Sequence, residues 1–356
     1  MTSLPQSPGR DAPPRKSWGD RVRQQRWRIV VLLLVVAYFV WLDQRVKVRP
    51  DHAFVILLIV VLVLGQAKAF LRDWSPFIGA WIIYDMMRGV ADDLRSRVVV
   101  EELYRWEVKL FGWLTHGEAP PIYSLTFQAK HAGSWVVDFL DNLSSTCYAM
   151  HMGAPLIVGW VLWHTMNNRR LFYRFVICFT LINILGFSTY LAMPTAPPWY
   201  VAEYGFAQPP AEFKGHGAGS LINFDEKIGF PLFENLYRRM NPNRFAALPS
   251  LHAAYALFVC VFLIKRYRWK GLPAVLYPLG MSIGAVYLVH HYILDLLAGY
   301  LVVGIAIPVG EKLIYPRLFG KWEARERAKE LAASGVSPPR ADSPASVQAS
   351  AAPPGG

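Results

Sequence analysis

The chain has 356 residues, of which 54% are hydrophobic and 14% aromatic, and its mean hydropathy is positive. Soluble domains rarely reach these values, and the apolar residues occur in long blocks, which argues against a soluble protein. The formal net charge is +12, and the cations lie mostly outside these blocks. We therefore predict an all-α, polytopic membrane protein that is embedded in membrane lipids and has no nucleic-acid partner.

The N-terminal segment, residues 1–28, contains seven Arg or Lys residues and two Asp residues. Because this basic segment directly precedes an apolar run, it is typical of a disordered cytoplasmic tail that sets topology rather than of a nucleic-acid-binding tail. The apolar runs that follow, which we predict as accessory membrane spans within residues 29–90, lie at 29–42, 53–71 and 74–89.

Residues 91–142 are polar and aromatic with mixed charges, which favours helices lying at the membrane interface. Residues 143–315 are predicted to form a catalytic membrane core that includes a long connection at 194–247, whose length suggests a function. Residues 316–356 are predicted to be a cytoplasmic, largely disordered tail, because they become rich in Ala, Pro and Ser. The spans predicted in the core are 144–165, 171–193, 250–264, 272–289 and 292–314.

The three cysteines, Cys147, Cys178 and Cys260, lie in apolar runs and lack the spacing of metal ligands. They are interpreted as packing residues rather than as disulfide or zinc residues. The sequence also contains no P-loop and no G-x-G-x-x-G motif. We therefore predict that the protein has no cofactor and no metal site.

Cations are distributed unequally between the connections. Residues 265–270 contain four Lys or Arg residues, residues 167–174 contain three, and the segment after 314 is also basic. The positive-inside rule places these segments on the cytoplasmic side, and the connection at 194–247 then faces the other side. This orientation requires that the run at 74–89 crosses the membrane, which gives eight spans. We expect a plasma-membrane protein with its active site on the non-cytoplasmic face.

His291 and Asp295 stand at the mouth of the last predicted span and are four residues apart. On a helix this spacing places both side chains on one face, where the carboxylate can hold one imidazole nitrogen and leave the other for chemistry. His290 lacks such a partner, because position 294 is Leu. Ionisable residues inside spans are usually functional, although a polar pair that merely caps a helix is the alternative.

A second histidine, His252, follows Pro249 and Ser250 at the start of another predicted span. Two histidines and an aspartate at span ends, without a Ser/His/Asp order, favour phosphoryl transfer. In this interpretation His291 attacks phosphorus and forms a phosphohistidine, while His252 protonates the leaving alkoxide and later deprotonates the acceptor.

Phosphate binding is predicted at the start of the helix that carries His252. Pro249 fits the first turn of a helix, so the free N–H groups there, with Ser250, would bind phosphate oxygens. Arg244 is the candidate for a charged phosphate clamp, and a solvated loop arginine is the alternative interpretation.

Four further residues are candidates for the substrate pocket. Pro197 and Trp199 belong to a Pro-rich run on the predicted active-site face, which forms either a pocket wall or only a rigid turn. His151 lies about two turns into its span and either reaches the site or packs against another helix. Asp141 either binds head-group hydroxyls or remains a solvated interfacial carboxylate.

Three ordered segments carry a resemblance to a known family. Pro249-Ser250-Leu251-His252 and His291-x-x-x-Asp295 resemble the second and third signature motifs of the type 2 phosphatidic acid phosphatase superfamily. With the run from Pro194 to Tyr200, and with His290-His291-Tyr292-x-x-Asp295, the chain is similar to the inositol phosphorylceramide synthase branch. The resemblance covers about residues 144–314. It implies a six-helix core, a His-His-Asp triad and a lipid-phosphate or head-group substrate.

The chain departs from the wider superfamily in two places. It has no Lys-x6-Arg-Pro segment before the core, and Gly284-Ala285 stands where phosphatase members carry Ser-Arg. These departures favour a phosphotransferase that moves a phospho-head group, such as phosphoinositol, between lipid-type hydroxyl compounds. The alternatives are a lipid phosphate or polyprenyl diphosphate phosphatase, a membrane transporter, and an inactive scaffold. The ionisable groups lie at span ends, whereas transporters usually carry them near the middle of the membrane, which argues against transport. The intact histidines and aspartate argue against an inactive scaffold.

Overall fold

The structure is a computed structural model. It describes residues 66–86, 94–165, 168–210, 213, 220–231, 233–234 and 244–334. The basic tail at 1–28, the run at 29–42 and most of the run at 53–71 lie outside the described residues, as do residues 335–356.

Helices account for nearly all regular structure in the described ranges, which confirms the all-α class. The only strand-like pairing described there consists of two isolated bridges, which join Thr195 to Val99 and to Ala246. The helices are α1 (Ala67–Met86), α2 (Glu101–Phe111), α3 (Pro120–Lys130), α4 (Trp135–Trp160), α5 (Arg169–Ala192), α6 (Pro198–Tyr204), α7 (Leu221–Ile228), α8 (Leu251–Tyr267), α9 (Leu276–Tyr287), α10 (Ile293–Pro308) and α11 (Tyr315–Ser334).

Helix α8 lies at the centre of the described bundle. Its sequence is apolar on most faces, which suits a helix surrounded by others, and it packs against α4, α5, α9 and α10. The ring of Phe175 from α5 contacts Phe258 and Phe262 of α8, with centroids 4.5 and 5.1 Å apart. All three rings are buried, and because lipid tails are as apolar as these rings, their contact stabilises the bundle through close packing.

Helices α8 and α10 run parallel and begin at the same point. The Ser250 N–H donates to the carbonyl oxygen of Asp295 at 2.9 Å. A Cβ at Gly299 would clash with the carbonyl oxygen of Ser250, so glycine permits this close approach. At the far ends Lys265 pairs with Glu311 at 2.5 Å. The first turns of the two helices, which carry His252 and Asp295, are therefore adjacent.

Helix α1 runs parallel to α5. Asp73 accepts from Arg169 at 2.7 Å and from the Tyr173 hydroxyl at 3.0 Å, and the rings of Phe77 and Phe179 stack with centroids 4.2 Å apart. The boundary between spans predicted at residues 72–73 is wrong, because α1 continues through Arg72 and Asp73. The partners of Asp73 stabilise its charge inside this continuous helix.

Two further predicted boundaries are corrected. Helix α4 begins at Trp135, well before the predicted edge at 142–143, because the Ser134 hydroxyl caps it by accepting from the Val137 N–H at 3.4 Å. The first part of the predicted disordered tail is helix α11, which ion pairs such as Arg174 with Glu323 hold against α5. Of the described helices, Arg169–Ala192 and the continuous run Ile293–Ala332 are long and apolar enough to cross a membrane.

Candidate active site

A short break separates α9 from α10 and presents the candidate nucleophile. The amides of His290 and His291 both donate to the carbonyl oxygen of Ala285, at 3.0 and 3.1 Å, which turns the chain sharply after α9. Val289 has a φ of +64°, a left-handed conformation that is a genuine outlier for a β-branched residue. Such strain persists only where surrounding contacts enforce it, and it concentrates at functional sites.

Those contacts come from two other segments. The Trp199 N–H of α6 donates to the Val289 carbonyl oxygen at 2.9 Å. From α3, the Gln128 amide and the Ser124 hydroxyl donate to the Tyr287 carbonyl oxygen at 2.6 and 3.0 Å. The turn is therefore fixed both before the strained residue and at its own carbonyl group.

The structure brings His252, His291 and Asp295 together in one hydrogen-bonded chain. Nδ1 of His291 lies 3.3 Å from Oδ2 of Asp295, and Nε2 of His291 lies 2.9 Å from Nδ1 of His252. Because a carboxylate only accepts, Nδ1 of His291 carries the proton and Nε2 carries the lone pair. His252 then donates its Nδ1–H to that lone pair. A nucleophilic nitrogen and an imidazole proton donor thus face each other.

The predicted pairing of His291 with Asp295 forms, but not on the face of a helix. His291 precedes α10, Tyr292 is its N-cap and Asp295 is the third residue of the helix. Oδ2 of Asp295 also accepts from the Tyr292 N–H at 2.8 Å. The four-residue spacing works because the aspartate folds back over the helix start, as capping residues do.

Helix α8 presents His252 from its first turn. Ser250 is the N-cap, and its hydroxyl accepts from the Ala253 N–H at 3.3 Å. Pro249 therefore stands one residue before the cap, and its predicted place in the first helical turn is wrong. Ser250 is fully buried, and its predicted phosphate contact would use the one hydroxyl proton that capping leaves over.

Helix α4 supplies a second layer around His252. The ring of Tyr148 stacks on His252, and the ring of His151 approaches it equally closely, each with centroids 4.2 Å apart. The Tyr148 hydroxyl lies 3.3 Å from Nδ1 of His290. The predicted pocket residue His151 is thus beside the site. Tyr148 was missed, although its three-residue spacing from His151 places both on one helix face.

The other predicted binding residues take different positions. Arg244 donates to the carbonyl oxygen of Phe213 at 3.2 Å, so at least one of its N–H groups holds the connection between α6 and α8. Asp141 accepts from the Tyr287 hydroxyl at 2.7 Å and from Lys227 at 2.5 Å, which ties α4 to α9 and α7.

The two candidates for the pocket wall, Pro197 and Trp199, lie beside the turn between α9 and α10. Pro197 is the N-cap of α6, and Trp199 is buried among aromatic rings, including Tyr200 and Phe213. No cluster of three or more His, Cys, Asp or Glu residues suited to a metal ion occurs within the described ranges.

Comparison with known proteins gives consistent relatives. The sequence model of the PAP2 superfamily matches residues 124–309, more than half of the chain. The phosphoinositol dihydroceramide synthase of Bacteroides thetaiotaomicron is 32% identical over 276 residues, which cover 76% of this chain and 87% of that protein. No solved structure gives a significant match.

Two fungal proteins are also similar. The inositol phosphorylceramide synthase catalytic subunits of Schizosaccharomyces pombe and Saccharomyces cerevisiae are 32% and 29% identical, over 184 and 275 residues. These matches cover 50% and 77% of this chain, but only 42% and 64% of the fungal proteins. The resemblance carried by the three motifs is confirmed: this chain belongs to the PAP2 superfamily.

Proposed function

We propose that the protein is a membrane phosphotransferase that moves phosphoinositol from a lipid donor to the hydroxyl group of a ceramide or dihydroceramide. The observation that carries the chemistry is the hydrogen-bonded chain from Asp295 through His291 to His252. The choice of head group and acceptor rests on the names of the similar synthases.

The first half of the reaction transfers the head group to the enzyme. Nε2 of His291 attacks phosphorus, a P–N bond forms, and the P–O bond to the donor lipid breaks. In the resting site the Nδ1–H of His252 covers that lone pair at 2.9 Å. The arriving phosphoryl group takes its place, and the doubly protonated ring of His252 gives its Nδ1 proton to the leaving oxygen, which leaves His252 neutral.

The second half reverses these roles. Neutral His252 accepts the proton of the ceramide-type hydroxyl, whose oxygen attacks phosphorus and breaks the P–N bond. Asp295 stabilises the His291 ring when it carries positive charge and keeps its Nδ1 protonated throughout. His252 is thereby protonated again for the next cycle.

The binding residues predicted from the sequence complete this proposal. His151, whose ring contacts His252, is placed to meet the head group, and the hydroxyl proton of Ser250 is assigned to a phosphate oxygen. Arg244, which donates to the carbonyl oxygen of Phe213, is assigned as the charged clamp on the phosphate. Trp199 and Pro197 are assigned to the pocket wall beside the turn, and Asp141, which accepts from Lys227 and Tyr287, is assigned to the head-group hydroxyls.

Acceptor dependence tests the function. Purified protein in detergent–lipid micelles is supplied with an inositol-labelled phospholipid, with and without a fluorescent ceramide. We expect a lipid that carries both labels, formed only when ceramide is present. Release of water-soluble inositol phosphate at the same rate with and without ceramide would instead indicate a phosphatase.

We further propose that α1, α4, α5, α8, α9 and α10 are the six membrane-crossing helices of the core, preceded by the accessory N-terminal spans, in the plasma membrane. The triad lies at the starts of α8 and α10, whereas the cations of 167–174 and 265–270 lie at the opposite end. The contact of Lys265 with Glu311 and that of Arg170 with Glu330 support this grouping. The positive-inside rule then makes the triad end non-cytoplasmic.

Thiol labelling tests this orientation. With the three native cysteines replaced, Glu203→Cys near the triad end and Lys270→Cys near the opposite end supply exposed single cysteines. An impermeant maleimide applied to intact cells is expected to label position 203 and not position 270. Permeabilised cells, in which both positions should react, provide the control. Labelling of position 270 alone would place the active site on the cytoplasmic face.

A further inference from the structure

A second carboxylate, from a distant part of the chain, reaches the helix that carries Asp295. Glu107 lies on α2 and has no exposed surface, although the neighbouring Trp106 is 53% exposed. Its two carboxylate oxygens accept from the N–H groups of Ile293 at 2.8 Å and Leu294 at 3.1 Å. These are the first two residues of α10.

This contact has the features of a built site. Within the described part of the chain no Lys or Arg side chain pairs with Glu107, so the two backbone N–H groups are its described polar partners. A buried carboxylate is strongly unfavourable unless hydrogen bonds replace its hydration. The first N–H groups of a helix have no partner within the helix, and the positive end of the helix dipole favours an anion there. The two groups therefore satisfy each other.

Glu107 and Asp295 divide the amides of the helix start between them. Asp295 accepts from the Tyr292 N–H and faces His291, and Glu107 takes the next two N–H groups. Without Glu107, those two N–H groups would lose their described acceptors, and the first turn of α10 would lose this contact with α2. A shift of that turn would move Asp295 relative to His291, a contact that already measures 3.3 Å.

Helix α2 is itself fixed against the catalytic segments. Leu103 and Ala119 pack with Tyr292, and Leu248, just before Pro249, contacts the same cluster. Trp106 and Leu110 of α2 are exposed, as expected for a helix at a membrane interface. An interfacial helix thus contacts both segments of the triad.

We propose that Glu107 is a positioning residue for phosphoryl transfer: from the interfacial helix α2 it holds the first turn of α10, so that Asp295 stays directed at His291. This inference rests on the proposed function, because its effect is measured on the same reaction. It adds a fourth residue, outside the three motifs, on which the geometry of the nucleophile depends.

The charge of Glu107 gives the contact a characteristic pH dependence. Burial, with a smaller contribution from Asp295, raises the pKa of Glu107 to about 7, against the effect of the two N–H groups. The other titratable groups described at this junction are Tyr292 and Tyr104. Glu107 is therefore an anion above pH 7 and becomes a neutral carboxyl, similar to glutamine, as the pH falls below 7.

The test compares Glu107→Gln and Glu107→Ala with the wild type in the acceptor-dependent assay. We expect Glu107→Ala to lower kcat by about 10²-fold, the loss typical of a catalytic group displaced by about 1 Å, with KM changed less than threefold. Glu107→Gln, which keeps one acceptor oxygen, should lose about tenfold at pH 8. Because protonated glutamate resembles glutamine, the ratio of wild-type to Glu107→Gln kcat should approach one below pH 6.

The matched control is Glu102→Ala, because Glu102 is an exposed glutamate on the same helix. This variant should keep the wild-type kcat. If Glu107→Ala does not elute as a folded species, the isosteric glutamine variant carries the test alone. A pH-independent ratio, or a loss confined to KM, would overturn the positioning role. Wild-type protein without transfer activity would instead refute the proposed function, so the two failures are distinguishable.

Discussion

His291→Ala is expected to reduce head-group transfer by about 10⁴-fold or more, the scale seen when a covalent nucleophile is removed. The reason is geometric. Of the described histidines, His291 alone has Nδ1 within 3.3 Å of a buried carboxylate and Nε2 directed at another imidazole. Steady-state transfer of a labelled head group to ceramide measures the loss.

His131→Ala is the control for this variant, since His131 is an exposed histidine outside the site and should keep wild-type turnover. Equal thermal unfolding of the two variants would show that the loss is chemical. A His291→Ala protein that retains a tenth of the wild-type rate would mean that another residue is the nucleophile.

His252→Ala is expected to slow transfer from the natural lipid donor by 10²- to 10⁴-fold, the usual contribution of a general acid, or roughly 3–5 kcal/mol in the barrier. The loss depends on the leaving group, because the Nδ1–H of His252 is needed only when the departing oxygen is strongly basic. When the donor is a p-nitrophenyl ester of the phospho-head group, the departing p-nitrophenolate needs no proton. The variant should therefore recover most of its first-step rate with this donor.

The ratio of the two rates decides between roles for His252. An equal loss with the lipid and with the p-nitrophenyl donor would remove His252 from the proton-transfer step. It would leave only a role in orienting His291 through their 2.9 Å contact. A large recovery confirms the assignment of the acid.

The sequence predicted which residues form the triad, but not how they meet. Spacing alone suggested that His291 and Asp295 share a helix face, whereas the helix begins only after His291. A break is needed because the chain must reverse its path, and it does so through a strained Val289 that no pattern in the sequence reveals. Membrane hydropathy marks apolar runs but not the residue at which a helix starts.

Long-range contacts account for the residues that the sequence could not identify. Glu107 occurs in a run of mixed charges that is typical of a solvated interfacial helix, and its partners lie 186 and 187 positions later. Asp73 similarly looked like the end of a span, because its partner Arg169 is 96 positions away. In both cases the local sequence shows a charged residue but not the distant groups that hydrogen-bond to it.

The most direct measurement of the central claim is the location of the covalent intermediate. The protein is incubated with a donor lipid labelled in its phospho-head group, without ceramide, then quenched under alkaline conditions that preserve phosphohistidine and digested for mass spectrometry. The account predicts the head group on the peptide that contains His291, its absence in His291→Ala, and its loss when ceramide is added before the quench. Label on His252, or transfer at full rate without any labelled histidine peptide, would contradict it.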